Sequence, residues 1–94
     1  MSGKKIDSAA VSELYKLILS LETEEDCEKL FEDLCTYKEV EQMAQRVKAA
    51  KLLMEGKTYN QVIEETDISS ATLSRVSRCV QYGDGYRNFI AKKN

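Results

Sequence analysis

No proline occurs anywhere in this chain of 94 residues, and apolar side chains recur along most of it at intervals of three and four. The residue that most reliably breaks a helix is missing, and the period is that of a helix rather than a strand. An all-α fold follows. From about Asp7 to Leu21, the positions Val11, Leu14, Tyr15, Ile18 and Leu21 share one face of a first amphipathic helix. Thr23 can cap a second helix, because its hydroxyl can accept an amide bond while Glu24, Glu25 and Asp26 meet the positive end of the dipole. Cys27, Leu30, Phe31 and Leu34 form its apolar stripe.

Thr36 followed by Glu39 has capping-box spacing and opens a longer helix, with Val40, Met43, Ala44, Val47, Ala50 and Met54 inward and Gly56 as its stop. Thr58 and Gln61 repeat that spacing and start a short helix through Val62, Ile63 and Thr66. Asp67 and Ile68 turn the chain into Ser69, which caps a helix carrying Leu73, Val76 and Val80 on its inner face. Tyr82, Gly83, Asp84 and Gly85 break the periodicity. A short last helix within residues 84–93 then points Phe89 and Ile90 inward.

Six helices in 94 residues are short for a self-contained bundle, and the first two carry apolar stripes that need a cover. A second copy of the chain is the simplest one. The expected organisation is one helical domain over residues 1–94. Residues 1–56 give the dimerisation and core helices, and residues 58–80 form a separate helical pair.

Composition narrows the function. Apolar residues at 43% and charged residues at 32% are a globular balance, and the apolar runs are too short for a membrane span. Cys27, Cys35 and Cys79 form an odd set without CxxC spacing, and histidine is absent, which argues against a zinc site or a disulfide framework. Reduced thiols on apolar faces, and an opening without secretory character, point to the cytoplasm. With no histidine, the commonest general base is missing, and no nucleophile stands beside a partner at close helical spacing. The chain reads as a non-enzyme.

The net charge of −2 is unevenly spread. Residues 1–41 hold 5 Lys/Arg against 11 Asp/Glu, residues 42–68 hold 4 against 4, and residues 69–94 hold 5 against 1. The acidic half would repel phosphate, whereas the basic half begins at Ser69, at the second helix of the pair.

A short capped helix, a tight turn and a second capped helix over residues 58–80 make the helix-turn-helix plan, whose second helix enters the major groove of double-stranded DNA. Ile68 and Leu73 lock the pair together. Ser69, Ser70, Ala71, Thr72 and Ser74 are small enough to let the helix sit deep, and Arg75 and Arg78 supply charge. Thr58 and Gln61 stand at the start of the bracing helix. Thr72 is expected close to base edges, and Arg75 near a cleft or a phosphate. Asp67 occupies a turn position where glycine is common, and it tolerates the left-handed conformation better than most residues. Bulky Ile63 stands where a small residue is usual, and Glu64 where a basic one would favour phosphate.

From Leu34 to Val80 the sequence resembles the Trp repressor family, in particular its related proteins in Gram-positive bacteria. The resemblance is carried by Leu34-Cys35-Thr36 leading into Glu39, Gln45-Arg46-Val47-Lys48, Leu52-Leu53 with Gly56, and Ala71-Thr72-Leu73-Ser74-Arg75. It implies a six-helix fold, an intertwined homodimer and a helix-turn-helix that regulates transcription, as a repressor. In the tryptophan-binding member, the indole lies between the long helix and the recognition helix, held by two arginines. Arg46 and Arg75 match those arginines, and Thr36 matches a polar residue near the ligand. Val76 stands where that protein has glycine, and Cys79 where it has serine. A valine there is expected to project into the slot and fill space the indole needs, which speaks against tryptophan as corepressor. Arg75 is equally suited to a phosphate, and either arginine to an ion pair with Glu39 or Glu64. A helical protein-interaction module that uses the acidic N-terminal face without binding DNA is the rival reading.

Overall fold

The computed structural model describes residues 6–91 and forms two units, one ending at Thr36 and one beginning at Tyr37. All six expected helices are present, and no strand occurs among the described residues.

In the first unit, α1 spans Ser8–Leu19 and α2 spans Glu24–Leu34. Asp7 caps α1 by accepting the Ala10 N–H at 3.1 Å. The helix stops two residues before the expected Leu21, at Ser20, whose hydroxyl donates to the Leu17 carbonyl at 2.6 Å and so draws a terminal carbonyl out of the helical ladder. Thr23 caps α2 as expected, and Asp26 completes a capping box by accepting the Thr23 N–H. Neither helix contains a fully buried residue.

In the second unit, α3 spans Tyr37–Met54, beginning directly after Thr36. Gly56 ends it with φ 95°, the one positive φ among the described residues. Its N–H donates to the Leu53 carbonyl at 3.0 Å, and Lys57 N–H to the Leu52 carbonyl at 3.1 Å, which is the Schellman arrangement that glycine makes possible. Next come α4, Tyr59–Glu65, α5, Ser70–Tyr82, and α6, Gly85–Ala91. The Thr58–Gln61 capping box forms in both directions, at 2.8 and 3.2 Å. Ser69 caps α5 by accepting the Thr72 N–H at 3.1 Å.

Ala49, Ala50, Val62, Leu73 and Val76 form the core, flanked by Leu52, Leu53, Ile68, Val80, Tyr86 and Ile90. The two alanines are fully buried in one cluster with Leu73 and Val76 of α5, and their small side chains leave room for those larger ones. Most of the stripe expected to face inward on α3 lies elsewhere. Successive residues are 100° apart, so Val40, Met43, Ala44, Val47 and Met54 gather on the side opposite Ala49 and Leu53. Of that stripe only Ala50 is fully buried, and Val47 is 42% exposed.

One boundary and one side-chain direction near the C-terminus also differ from expectation. Helix α5 runs through Val80 to Tyr82, so the break falls at Gly83. A side chain there would meet the Cys79 carbonyl oxygen at 2.8 Å, the atom that the Gly83 N–H itself engages. On α6, Ile90 packs on the core with Tyr86, whereas Phe89, one residue and 100° away, is exposed. The end expected at residue 93 lies outside the described residues. No described helix is long and apolar enough to cross a membrane.

Candidate nucleic-acid interface

Helix α5 has three faces. At 100° per residue, Leu73, Val76, Ser77 and Val80 fall on one side, which is buried or half-buried against the core. Ala71, Ser74 and Arg78 fall on the far side, with Arg75 at the edge nearer Thr72, and all four are exposed, as is Ser70, which opens the helix beside the buried face. This outer face carries two full positive charges and otherwise small side chains. A surface of this kind can lie against phosphates and base edges without steric obstruction. Helix α4 supports it through Val62, which is fully buried, and α4 presents Glu64 outward at its own surface.

The third face of α5 turns toward α3. Thr72 and Arg75 here join Lys38, Glu41, Gln42, Gln45 and Arg46 of α3 and the turn residues Asp67, Ile68 and Ser69 around a cleft of about 550 Å³. Ser69 is tied to Thr72 twice, through the Thr72 N–H and through its own hydroxyl, which donates to Thr72 Oγ1 at 3.1 Å. Thr72, expected close to base edges, is half-buried in the cleft wall beside the outermost strip of α5.

The structure brings Arg46 and Arg75 into one cleft, as the resemblance implied. Val76 is a correction. Three residues beyond Leu73, it shares that residue's face, is 2% exposed, packs in the core and does not line the cleft. Cys79 is half-buried on α5 and is also absent from the lining, and Thr36 belongs to the first unit. Thr58 and Gln61 are exposed, and each uses a side-chain oxygen as acceptor in the capping box, which leaves the Thr58 hydroxyl proton and the Gln61 –NH₂ as the groups able to donate outward.

Sequence reasoning missed Lys38, Glu41, Gln42 and Gln45. Their spacing is i, i+3, i+4, i+7, which marks a polar stripe on one face of a helix as surely as an apolar one. Apolar periodicity along α3 does not mark this stripe. The turn differs too: Asp67 is not left-handed, since no described non-glycine residue has positive φ. Thr66 and Ser69 flank it in extended conformations, with ψ 172° and 162°.

The geometry has counterparts. A family model described as Trp repressor protein matches residues 9–94. The uncharacterized protein YerC of Bacillus subtilis is 44% identical over 84 residues, covering 89% of this chain and 76% of that protein. A crystal structure of a candidate Trp repressor from Staphylococcus aureus superposes with a TM-score of 0.87 at 41% identity, covering 92% of this chain and 87% of the other. A TrpR like protein from Eubacterium eligens gives a TM-score of 0.86 at 41% identity, over 90% and 89% of the two chains. A family model that spans nearly the whole sequence and a relative 44% identical over most of both chains agree: this chain belongs to the Trp repressor family.

Proposed function

We propose that the chain is a sequence-specific DNA-binding regulator of transcription, a cytoplasmic repressor that acts as a homodimer and inserts α5 into the major groove. The observation that carries this reading is the exposed outer face of α5, where Ala71, Ser74, Arg75 and Arg78 form a small-residue, basic strip on a helix anchored by Leu73 and Val76. The charge distribution supports it: residues 69–94 carry a net +4, and the acidic excess lies at the other end of the sequence.

The homodimer rests on uncovered apolar surface. Helices α1 and α2 bury nothing fully, Leu17 and Leu34 are each 48% exposed, and the outer stripe of α3 includes the exposed Val47. A second copy supplies the missing cover and pairs two reading helices for two half-sites.

A fluorescence-anisotropy titration against a pool of duplex DNA, repeated over a range of salt concentrations, tests the reading. The logarithm of the affinity should fall with the logarithm of salt with a slope of about −0.9 per phosphate neutralised. Sedimentation should give twice the chain mass. A dimer whose DNA affinity is absent, or indifferent to salt, would instead make the acidic N-terminal half the working surface, as an adaptor for other proteins.

A further inference from the structure

The α4–α5 turn, Thr66-Asp67-Ile68-Ser69, contains no glycine. Its residues are not left-handed, and both ends are extended. Backbone groups between two helices lie outside both ladders and need other partners. One partner comes from α3: the Asp67 N–H donates to Gln45 Oε1 at 3.0 Å, across 22 positions of sequence. The oxygen of a carboxamide can accept this bond and the –NH₂ cannot, so the contact fixes which way the amide faces. Gln45 is itself half-buried and lines the cleft beside Arg46.

We propose that Gln45 is a positioning residue for DNA reading: through Asp67 it holds the turn against α3, and it thereby fixes the angle at which α5 presents its outer face. A glycine in the turn would set that angle through local backbone geometry. Here a side chain from another helix sets it, and the extended turn depends on that clasp. The proposal rests on the DNA-binding reading above. The core does not depend on Gln45, because Ala49, Ala50, Val62, Leu73 and Val76 pack without it. Its loss should therefore loosen the turn while leaving the helices folded.

Amide hydrogen exchange by NMR on the DNA-free chain reads the clasp directly. In Gln45→Leu, which keeps the helix and removes the acceptor, the Asp67 amide should exchange about tenfold faster, while amides within α4 and α5 stay protected. Gln45→Glu keeps an acceptor oxygen at the same reach and should restore slow exchange. Affinity of Gln45→Leu for a duplex selected with the wild type should drop about three- to tenfold, the loss corresponding to one hydrogen bond. An Asp67 amide unchanged in Gln45→Leu overturns the proposal, and so does an accelerated amide with undiminished DNA affinity. Failure of the wild type itself to hold DNA refutes the functional reading instead, since the exchange measurement contains no DNA.

Discussion

L-Tryptophan titrated into the purified chain is expected to bind no tighter than the millimolar range, despite the paired Arg46 and Arg75. An aromatic side chain of this size buries roughly 150–250 Å², which at about 25 cal/mol per Å² is about 4–6 kcal/mol in an apolar slot. Of the ten residues lining the cleft, only Ile68 is apolar. An indole left half in contact with water keeps about half of that gain, and the missing 2–3 kcal/mol or so weakens binding by roughly 30- to 150-fold. Stacking on the half-buried Arg46 and the exposed Arg75 guanidinium groups, in a cleft open to water, returns only about 0.5–1 kcal/mol. The cause is the polar wall, and Val76 acts from the core rather than as an obstruction in the cleft. Val76→Gly separates the two causes. It should cost about 1.5–3 kcal/mol of burial and about 0.4 kcal/mol of helix propensity, lowering the melting temperature by roughly 8–28 °C, and it should open no tryptophan site. Isothermal titration calorimetry of both proteins, at a temperature where circular dichroism shows the variant folded, is the assay. Micromolar uptake by the wild type would show that the cleft offers an apolar slot after all. Uptake by Val76→Gly alone would show that the valine is the barrier.

Leu73→Ala should destabilise the chain by about 2–5 kcal/mol in thermal or urea unfolding, because Leu73 is fully buried where α3, α4 and α5 meet. Arg78→Ala, on the outer face of α5, should reduce the salt slope of DNA binding by about one if Arg78 meets a phosphate, whereas Thr72→Ala, in the cleft wall, should leave preference among sites unchanged. A shift of site preference in Thr72→Ala would return Thr72 to the reading face. Gly83→Ala should cost about 1–3 kcal/mol in the same unfolding assay, because its Cβ would stand 2.8 Å from the Cys79 carbonyl oxygen and α5 must bend or fray to admit it.

What could be read from the sequence was what is set locally. Thr23, Thr58, Ser69 and Gly56 act within three or four residues of themselves, so their chemistry alone marked where helices start and stop. Residue types do not say which of two partly apolar faces meets which neighbour. Along α3, Val40, Met43 and Val47 offered the more obvious part of the expected stripe, yet of that stripe only Ala50 is fully buried, and Ala49, outside it, joins Ala50 in the core, because close packing against α5 favours the smaller residues. The same holds at Asp67, where a local rule pointed to a left-handed residue and a side chain 22 positions away supplies an extended alternative.

Those tertiary choices also settle how the candidate site divides its work. On α5 the register that sends Leu73 and Val76 inward necessarily sends Ala71, Ser74 and Arg78 outward and leaves Thr72 on the flank beside the cleft. Arg75 sits between flank and outer face, exposed and yet lining the cleft, so a single guanidinium is within reach of either a phosphate or a cleft occupant. Engaged on one side, it is partly withdrawn from the other. A ligand that draws Arg75 into the cleft should therefore weaken the phosphate contact, and a ligand that repels it should strengthen that contact, which makes the sign of any effector response depend on the ligand's charge.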